Sequence, residues 1–341
     1  MARIKFLFSR SHLLFLLAIV IGILLPQASE FVSLLTYPAL TVILTITLLR
    51  FPPGFFRRPG TLLSGAIWGN VMSYLILGNL IIMASIFLIR EEGFWIGMVL
   101  VAAAPPATTI IPLGNILRID KQSMFAGFAG AYLGAVLIAP LIGLGFLKFI
   151  PLDTIGLILA IFMLILLPLF LSWLAVNEDW DKLIENYKGH IADGCFFIIF
   201  YALAAGTRYL VIDRPLEVVF MFVIAIVSTF LLGFLINLVG NYHRATKEKL
   251  SSLVFLGTMK NYALAGAIAL NVFNKQAALP ALVFSVVMFI YTIWLKYKMG
   301  NDVDADKTTG ESLVKMFLRI AAMFLNYLQK VWKALTDTKS N

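Results

Sequence analysis

The chain contains long apolar stretches, each about 20 residues in length and almost free of charge, joined by short polar connections. Because a helix rises about 1.5 Å per residue, such a stretch crosses the hydrocarbon core of a bilayer. With 61% hydrophobic and 13% charged residues, the 341-residue chain differs from an ordinary soluble domain. The pattern predicts an all-α membrane protein of ten transmembrane helices. The ten predicted segments, numbered in chain order, are 12–25, 31–49, 61–89, 94–117, 122–149, 153–176, 191–211, 215–240, 250–273 and 277–298.

The number of lysine and arginine residues alternates between high and low in successive connections between these segments. Arg3, Lys5 and Arg10 precede segment 1, for example, whereas residues 26–30 contain neither residue type. In membrane proteins, connections rich in lysine and arginine lie on the cytoplasmic side. Ten segments with both termini in the cytoplasm place the basic connections on that side. We therefore predict an integral protein of the inner (plasma) membrane. We interpret the net charge of +9 as a signal of topology and not of nucleic-acid binding.

Residues 301–341 have a different composition from the rest of the chain. Asp302, Asp304 and Asp306 indicate a polar linker, and the residues after Gly310 alternate between an apolar and a basic face at helical spacing. This pattern predicts a C-terminal amphipathic helix on the inner leaflet of the bilayer. The alternative is that the helix packs against the bundle or a second subunit, and the oligomeric state stays open.

Two predicted segments carry interruptions at matched positions. Segment 4 contains the adjacent prolines Pro105 and Pro106, which supply no N–H donors, and segment 9 contains the weak point 257–261. Segments 4 and 9 occupy corresponding positions if the chain consists of two repeats of five segments. Because five is an odd number, the second repeat then crosses the membrane in the opposite orientation to the first. The predicted domains are a first inverted repeat at 1–149, a second at 150–300, and the linker and amphipathic helix at 301–341. Inverted repeats with broken helices are typical of secondary transporters.

Lys260 lies within segment 9, 11 residues after Lys249 and 15 before Lys275, and hence near the centre of the bilayer. A lysine at that depth costs at least about 2.5–3.5 kcal/mol, and no predicted acidic residue lies at comparable depth. Lys260 is too central for easy snorkelling to an interface, so we favour a functional role. It stands in for a bound metal ion, or it exchanges a proton. The candidate substrate and ion site comprises Ser73, Pro105, Pro106, Thr108, Thr109, Asn115, Thr258, Met259, Lys260 and Asn261.

The sequence offers no pattern typical of an enzyme. His12, His190 and His243 lie at segment ends or in connections, and the chain has a single cysteine, Cys195. There is no glycine-rich phosphate loop, nucleophile elbow or convergent carboxylate pair. We therefore predict no catalytic activity, no cofactor and no metal centre.

The interrupted segments resemble the bile acid:sodium symporter superfamily, which includes carriers of pantoate, 2-keto acids and related organic anions and arsenite efflux proteins. The family's fourth segment typically carries Pro-Gly-Gly-Thr-x-Ser-Asn, and 105–111 here matches it in part. The ninth typically carries Glu-x-Gly-Met-Gln-Asn, matched by 256–261, and Ala139-Pro140-Leu141 resembles a third motif. The resemblance implies a panel domain (segments 1, 2, 6 and 7), a core domain (segments 3–5 and 8–10), crossing of the broken helices, and alternating access.

The departures from the family pattern concern the sodium ligands. The family's Ser-Asn pair corresponds to Ile110 and Ile111, its glutamate to Leu256 and its glutamine to Lys260. Two unit charges 4 Å apart repel by about 4 kcal/mol at an effective dielectric constant of 20, so a sodium ion beside Lys260 is disfavoured. We therefore predict that sodium binding is lost and that the Lys260 ammonium replaces one ion, with proton coupling left open.

These observations lead to one preferred function and two alternatives. The preferred function is sodium-independent secondary transport of a small or amphipathic organic anion. The first alternative is a sodium-coupled symporter of a bile acid, pantoate or a 2-keto acid that binds sodium through backbone carbonyls. The second is a non-transporting membrane sensor or scaffold whose function is performed by its basic C-terminal helix.

Overall fold

The computed structural model describes residues 10–51, 59–116, 119–147, 154–178 and 180–301. These residues are almost entirely helical, and no β-strand occurs among them. The predicted amphipathic helix of the C-terminal tail lies outside the described residues, as do Arg3 and Lys5. The all-α prediction is confirmed for the part of the chain that is described.

Helices occur at all ten predicted segments. In the first half of the chain they are α1 (Arg10–Leu24), α2 (Ser29–Leu34), α3 (Thr36–Leu48), α4 (Pro59–Asn70), α5 (Asn79–Leu88), α6 (Glu92–Ala103), α7 (Ile110–Ile116) and α8 (Lys121–Leu147). In the second half they are α9 (Thr154–Asn177), α10 (Trp180–Leu183), α11 (Lys188–Asp213), α12 (Pro215–Ile226), α13 (Leu232–Tyr242), α14 (Lys247–Thr258), α15 (Tyr262–Val272) and α16 (Lys275–Asn301).

Five described helices are individually long and apolar enough to cross a membrane, and they indicate a membrane protein. A sixth is added if α1 and Pro26–Leu34, which are bent by 90° relative to each other, form one span. The five are Leu62–Leu88, Lys121–Leu147, Lys188–Asp213, Pro215–Tyr242 and Lys275–Lys298. Several other predicted segments consist of shorter helices separated by breaks, so the count of ten spans stays a prediction.

The chain divides into two compact units. The first, Met1–Trp294, contains α1 to α15 and most of α16, and the second is Leu295–Asn341, of which the end of α16 is described. All contacts discussed below lie within the first unit. The division into two repeats and a tail at residues 149 and 300 stays a prediction.

Helices α4 and α8 pack with their backbones unusually close together. A Cβ atom added to Gly69 would lie 2.0 Å from the carbonyl oxygen of Gly127, which is far inside van der Waals contact. One step further along, the Asn70 side-chain amide donates to the carbonyl oxygen of Gly130 at 3.0 Å. Only glycine allows the Gly69 contact, and this close approach fixes the residues that follow α4 against α8.

Two stretches have the wider turn of a π-helix, and the sequence did not predict either of them. Val71–Gly78 joins α4 to α5, and Val227–Leu231 joins α12 to α13. They lie in segments 3 and 8, which are the corresponding segments of the predicted repeats. A π-helical turn often marks a functional site, and buried hydroxyl groups occur in both stretches, at Ser73 in the first and at Ser228 and Thr229 in the second.

Candidate functional site

The helices of segments 4 and 9 are interrupted where the sequence predicted. In segment 4, α6 ends at Ala103 and α7 begins at Ile110. In segment 9, α14 ends at Thr258 and α15 begins at Tyr262. The prolines explain the first break because they cannot donate to the preceding turn.

The two breaks hydrogen-bond to each other. The Ala107 N–H donates to the Met259 carbonyl oxygen at 3.0 Å, and the Asn261 N–H donates to the Pro105 carbonyl oxygen at 2.7 Å. Pro106 and Lys260 thereby form an isolated antiparallel β-bridge. Backbone groups that the helices leave unpaired are satisfied in this way within the protein, as an apolar environment demands. We call these paired breaks, 104–109 and 259–261, the crossing.

The side chain of Lys260 is enclosed at the crossing and is 0% exposed. Its ammonium nitrogen donates to the Ala104 carbonyl oxygen at 2.7 Å and contacts the Ser73 hydroxyl oxygen at 3.3 Å. It also lies 4.7 Å from the centroid of the Tyr74 ring, within the range of a cation–π interaction. In the described part of the chain, no carboxylate forms an ion pair with Lys260. The groups shown around the Lys260 nitrogen are therefore a carbonyl, a hydroxyl and an aromatic face.

Asn261 connects the crossing to α8. Its side-chain oxygen accepts a hydrogen bond from the Leu264 N–H at 3.1 Å and so caps the first turn of α15. Its side-chain amide donates to the Tyr132 hydroxyl oxygen at 2.9 Å. Asn261 is thus held by four hydrogen bonds among the described residues, two from its backbone and two from its side chain.

The remaining predicted site residues have less direct roles. The Thr258 hydroxyl is buried and donates to the Val254 carbonyl of its own helix at 2.7 Å. Thr108 is buried beside Pro106, and the buried hydroxyl of Thr109 has no hydrogen-bond partner among the described residues. Asn115 belongs to α7, and its side chain lies outside the described part.

A cavity of about 280 Å³ lies between α3, α8 and α9, with Tyr132 in its wall. The Phe128 and Tyr132 rings, one turn apart on α8, have centroids 4.4 Å apart. The full lining is Leu44, Leu48, Phe128, Ala129, Tyr132, Leu133, Leu164, Ile165, Pro168 and Leu169. The cavity wall and the crossing are therefore joined by the Tyr132–Asn261 hydrogen bond.

Sequence reasoning missed three residues that this geometry brings into the site. Ala104 contributes only its carbonyl, which a side-chain pattern does not reveal. Tyr74 and Tyr132 are aromatic residues with a polar end inside predicted apolar segments, and that combination was the available signal.

Acidic residues near Arg50 form a separate charged cluster. The Arg10 Nε atom lies 3.9 Å from Asp193 Oδ2, and Lys188 pairs with Glu185. Arg50 follows α3, outside the predicted spans, and burial lowers the pKa of its guanidinium while Glu185 and Asp193 act in the opposite direction. This cluster joins the ends of α1, α3 and α11 and contributes no group to the crossing.

No protein-family model matches the chain, and no curated protein matches it. Among the described residues, no group of three or more His, Cys, Asp or Glu side chains is arranged to hold a metal ion.

Proposed function

We propose that this protein is a secondary transporter of a small or amphipathic organic anion, working by alternating access and without sodium. The observation that carries the proposal is the enclosed ammonium of Lys260 where two interrupted helices pair. A fixed positive charge at such a break raises the local potential for an anion.

Interrupted helices at membrane depth need a reason, because each break exposes backbone groups that lipid cannot satisfy. One kink at a proline is common in membrane helices. Here two breaks pair with each other, in segments 4 and 9, and the two π-helical stretches fall in segments 3 and 8. Both the helix breaks and the π-helical stretches therefore occur in corresponding segments of the two halves of the chain. This correspondence supports two inverted repeats of five segments.

Sodium independence follows from the contacts of the ammonium group. Lys260 already occupies the space between the Ala104 carbonyl oxygen and the Ser73 hydroxyl, which are the kinds of ligand that a sodium ion would require. A second cation there would be repelled by about 4 kcal/mol at 4 Å and an effective dielectric constant of 20. Lys260 therefore acts as a tethered cation, and transport can still be coupled to protons.

The proposal also includes the membrane topology and the place where the anion binds. Ten spans place both termini on the cytoplasmic side of the inner membrane, and the C-terminal amphipathic helix lies on the inner leaflet. Segments 1, 2, 6 and 7 form a panel against which the remaining segments move. The anion binds between the two parts, near the crossing, in a bundle of the bile acid:sodium symporter type.

A flux assay in proteoliposomes tests the proposal. Radiolabelled cholate, pantoate and pyruvate are offered at two pH values, in sodium buffer and in choline buffer. We expect uptake of at least one anion in both buffers, reduced at least ten-fold by Lys260→Met. Lys275→Met is the matched control, because Lys275 is exposed and lies outside the crossing. Faster uptake in one direction of the pH gradient identifies proton coupling.

Two outcomes would overturn the proposal. The first is strict sodium dependence that persists in Lys260→Ala, which would favour an ordinary sodium symporter. The second is absence of flux for every anion from folded protein, which would favour a sensor or scaffold.

A further inference from the structure

We propose that Tyr74 is the positioning residue of Lys260, and that the face of its ring takes the place of the carboxylate that a buried ammonium group usually needs. The inference has two parts. The ring attracts the ammonium group electrostatically, and the Tyr74 hydroxyl group fixes the ring against α8. Its functional meaning rests on the proposed function, because the position of a fixed cation matters when an anion binds near the crossing.

The ammonium group of Lys260 needs a compensating negative potential. An unpaired charge in an apolar interior is costly, so buried lysines normally have an ion-pair partner. Lys260 is fully buried, and no carboxylate pairs with it within the described ranges of the chain. The Ala104 carbonyl and the Ser73 hydroxyl beside it are neutral groups. The remaining source of negative potential shown at this nitrogen is the face of an aromatic ring.

The Tyr74 ring is placed to supply this potential. The face of an aromatic ring is the negative part of its quadrupole, and Lys260 Nζ lies over the Tyr74 ring at 4.7 Å from its centroid. Tyr74 is 5% exposed, so little water competes for the ammonium group. A cation–π interaction is strongest in such a desolvated place.

The Tyr74 hydroxyl group holds the ring in this position. It donates a hydrogen bond to the Ala131 carbonyl oxygen at 2.9 Å. Ala131 is fully buried in the interior of the long helix α8, so this acceptor is itself held by the helix. A helical carbonyl oxygen has a second lone pair with which it can accept from a side chain. The far end of the Tyr74 side chain is therefore anchored to α8 while its face lies against Lys260.

The π-helical stretch Val71–Gly78 explains how two consecutive residues reach one nitrogen atom. Ser73 and Tyr74 both lie beside Lys260 Nζ. Neighbouring side chains of an α-helix point about 100° apart, whereas a π-helix has more residues in each turn, so its neighbours diverge less. The irregular stretch thereby directs a hydroxyl group and an aromatic face to the same cation.

Fluorination of the ring tests the electrostatic part of the inference, because each fluorine weakens the negative potential of the face and changes its shape little. Tyr74 is replaced in the full chain by phenylalanine and by its 4-fluoro, 3,5-difluoro and 3,4,5-trifluoro derivatives, introduced by nonsense suppression. The thermal midpoint of each purified protein is measured in the same detergent. We expect the midpoint to fall stepwise with fluorine number, by about 2–4 °C in total.

Two controls separate the charge from the shape. In a Lys260→Met background the cation is gone, so the same series at position 74 should give a constant midpoint. Phe94 is equally buried, and no cation lies over its ring in the described part of the molecule. The fluorinated series at Phe94 should therefore show no stepwise fall.

Transport by two further variants links the ring to function. Tyr74→Phe keeps the aromatic face and removes the bond to Ala131, whereas Tyr74→Leu removes both. We expect anion flux to stay within about three-fold of the wild type in Tyr74→Phe and to fall about ten-fold in Tyr74→Leu. If Tyr74→Leu does not fold, the fluorinated series decides, because it preserves the shape of the ring.

Failure of this inference differs from failure of the transport proposal. A thermal midpoint that is independent of fluorine number, or that depends on it equally in Lys260→Met, would overturn the role of Tyr74. A fluorine dependence found in a protein that moves no anion would keep that role and remove the transport proposal. Flux that is unchanged by Tyr74→Leu would do the reverse.

Discussion

The ammonium nitrogen of Lys260 lies 2.7 Å from the carbonyl oxygen of Ala104, the residue at which α6 gives way to extended backbone. In a continuous helix this carbonyl would accept from the N–H four residues later, at Thr108. The break at Pro105 and Pro106 turns it towards another segment instead. The lysine needs an acceptor and the broken helix needs a donor, so each feature stabilises the other.

This mutual dependence predicts chemical rescue of Lys260→Ala. The substitution removes the cation and leaves the Ala104 carbonyl and the Ser73 hydroxyl facing vacated space next to the Tyr74 ring. We expect the thermal midpoint of the purified variant to fall, and methylammonium chloride to restore part of the loss. Sodium chloride should restore less, because few oxygens converge there and the aromatic face suits an organic cation.

Lys275→Ala is the control for this experiment. Its side chain is exposed, so its thermal midpoint should not respond to methylammonium beyond the response of the wild type. Full rescue by sodium, with none by methylammonium, would show that the vacated space is a sodium site.

Coupling between Ser73 and Lys260 is measurable in a double-mutant cycle. The contact between them is long, at 3.3 Å, so Ser73→Ala should lower the free energy of unfolding by about 1 kcal/mol or less. In a Lys260→Met background the same change should be close to neutral, because the partner is gone. Ser85→Ala provides the comparison, since Ser85 is equally buried but donates to Ile81 of its own helix. Its effect should be the same in both backgrounds, and equal coupling for Ser73 and Ser85 would remove Ser73 from the site.

Asn261 should be the most sensitive polar side chain at the crossing. Asn261→Ala removes the cap of α15, worth about 1 kcal/mol, and leaves the Tyr132 hydroxyl without its donor, at a further cost of about 1–3 kcal/mol. Asn79→Ala is the matched control, because the Asn79 side chain is exposed and, among the described residues, bonds to Leu75 of the preceding turn alone. We expect denaturant unfolding of Asn79→Ala to resemble the wild type within about 0.5 kcal/mol. Similar losses in both variants would contradict the role given to Asn261.

The helices and their breaks could be predicted from the sequence because both have local causes. Apolar runs set the helices, and Pro105 and Pro106 remove backbone donors whatever surrounds them. The isolation of Lys260 from carboxylates was also predictable, since Asp153, Asp193 and Glu217 all lie near segment ends.

The partners of Lys260 could not be predicted, because they depend on tertiary contacts. Pro105 and Pro106 lack the N–H groups to which the carbonyls of Val101 and Ala102 would bond in a continuous helix, so local reasoning points to those two carbonyls as acceptors. The ammonium instead contacts the carbonyl of Ala104, which follows α6 and has left the helical conformation. The π-helical stretch that contains Ser73 has no local signature, so the approach of its hydroxyl also depends on packing.

The close packing of α4 on α8 gives a final prediction about stability. A Cβ atom at Gly69 would lie 2.0 Å from the Gly127 carbonyl oxygen, so Gly69→Ala forces the two helices apart. We expect a loss of about 3 kcal/mol in the free energy of unfolding, at the upper end of overpacking effects. Gly194→Ala, on α11, meets nothing within 4 Å and should gain about 0.5–1 kcal/mol from helix propensity. Chemical unfolding of both variants in the same detergent compares them directly. A stable Gly69→Ala protein would show that α4 and α8 are further apart, and would remove the support that holds Ser73 and Tyr74 beside Lys260.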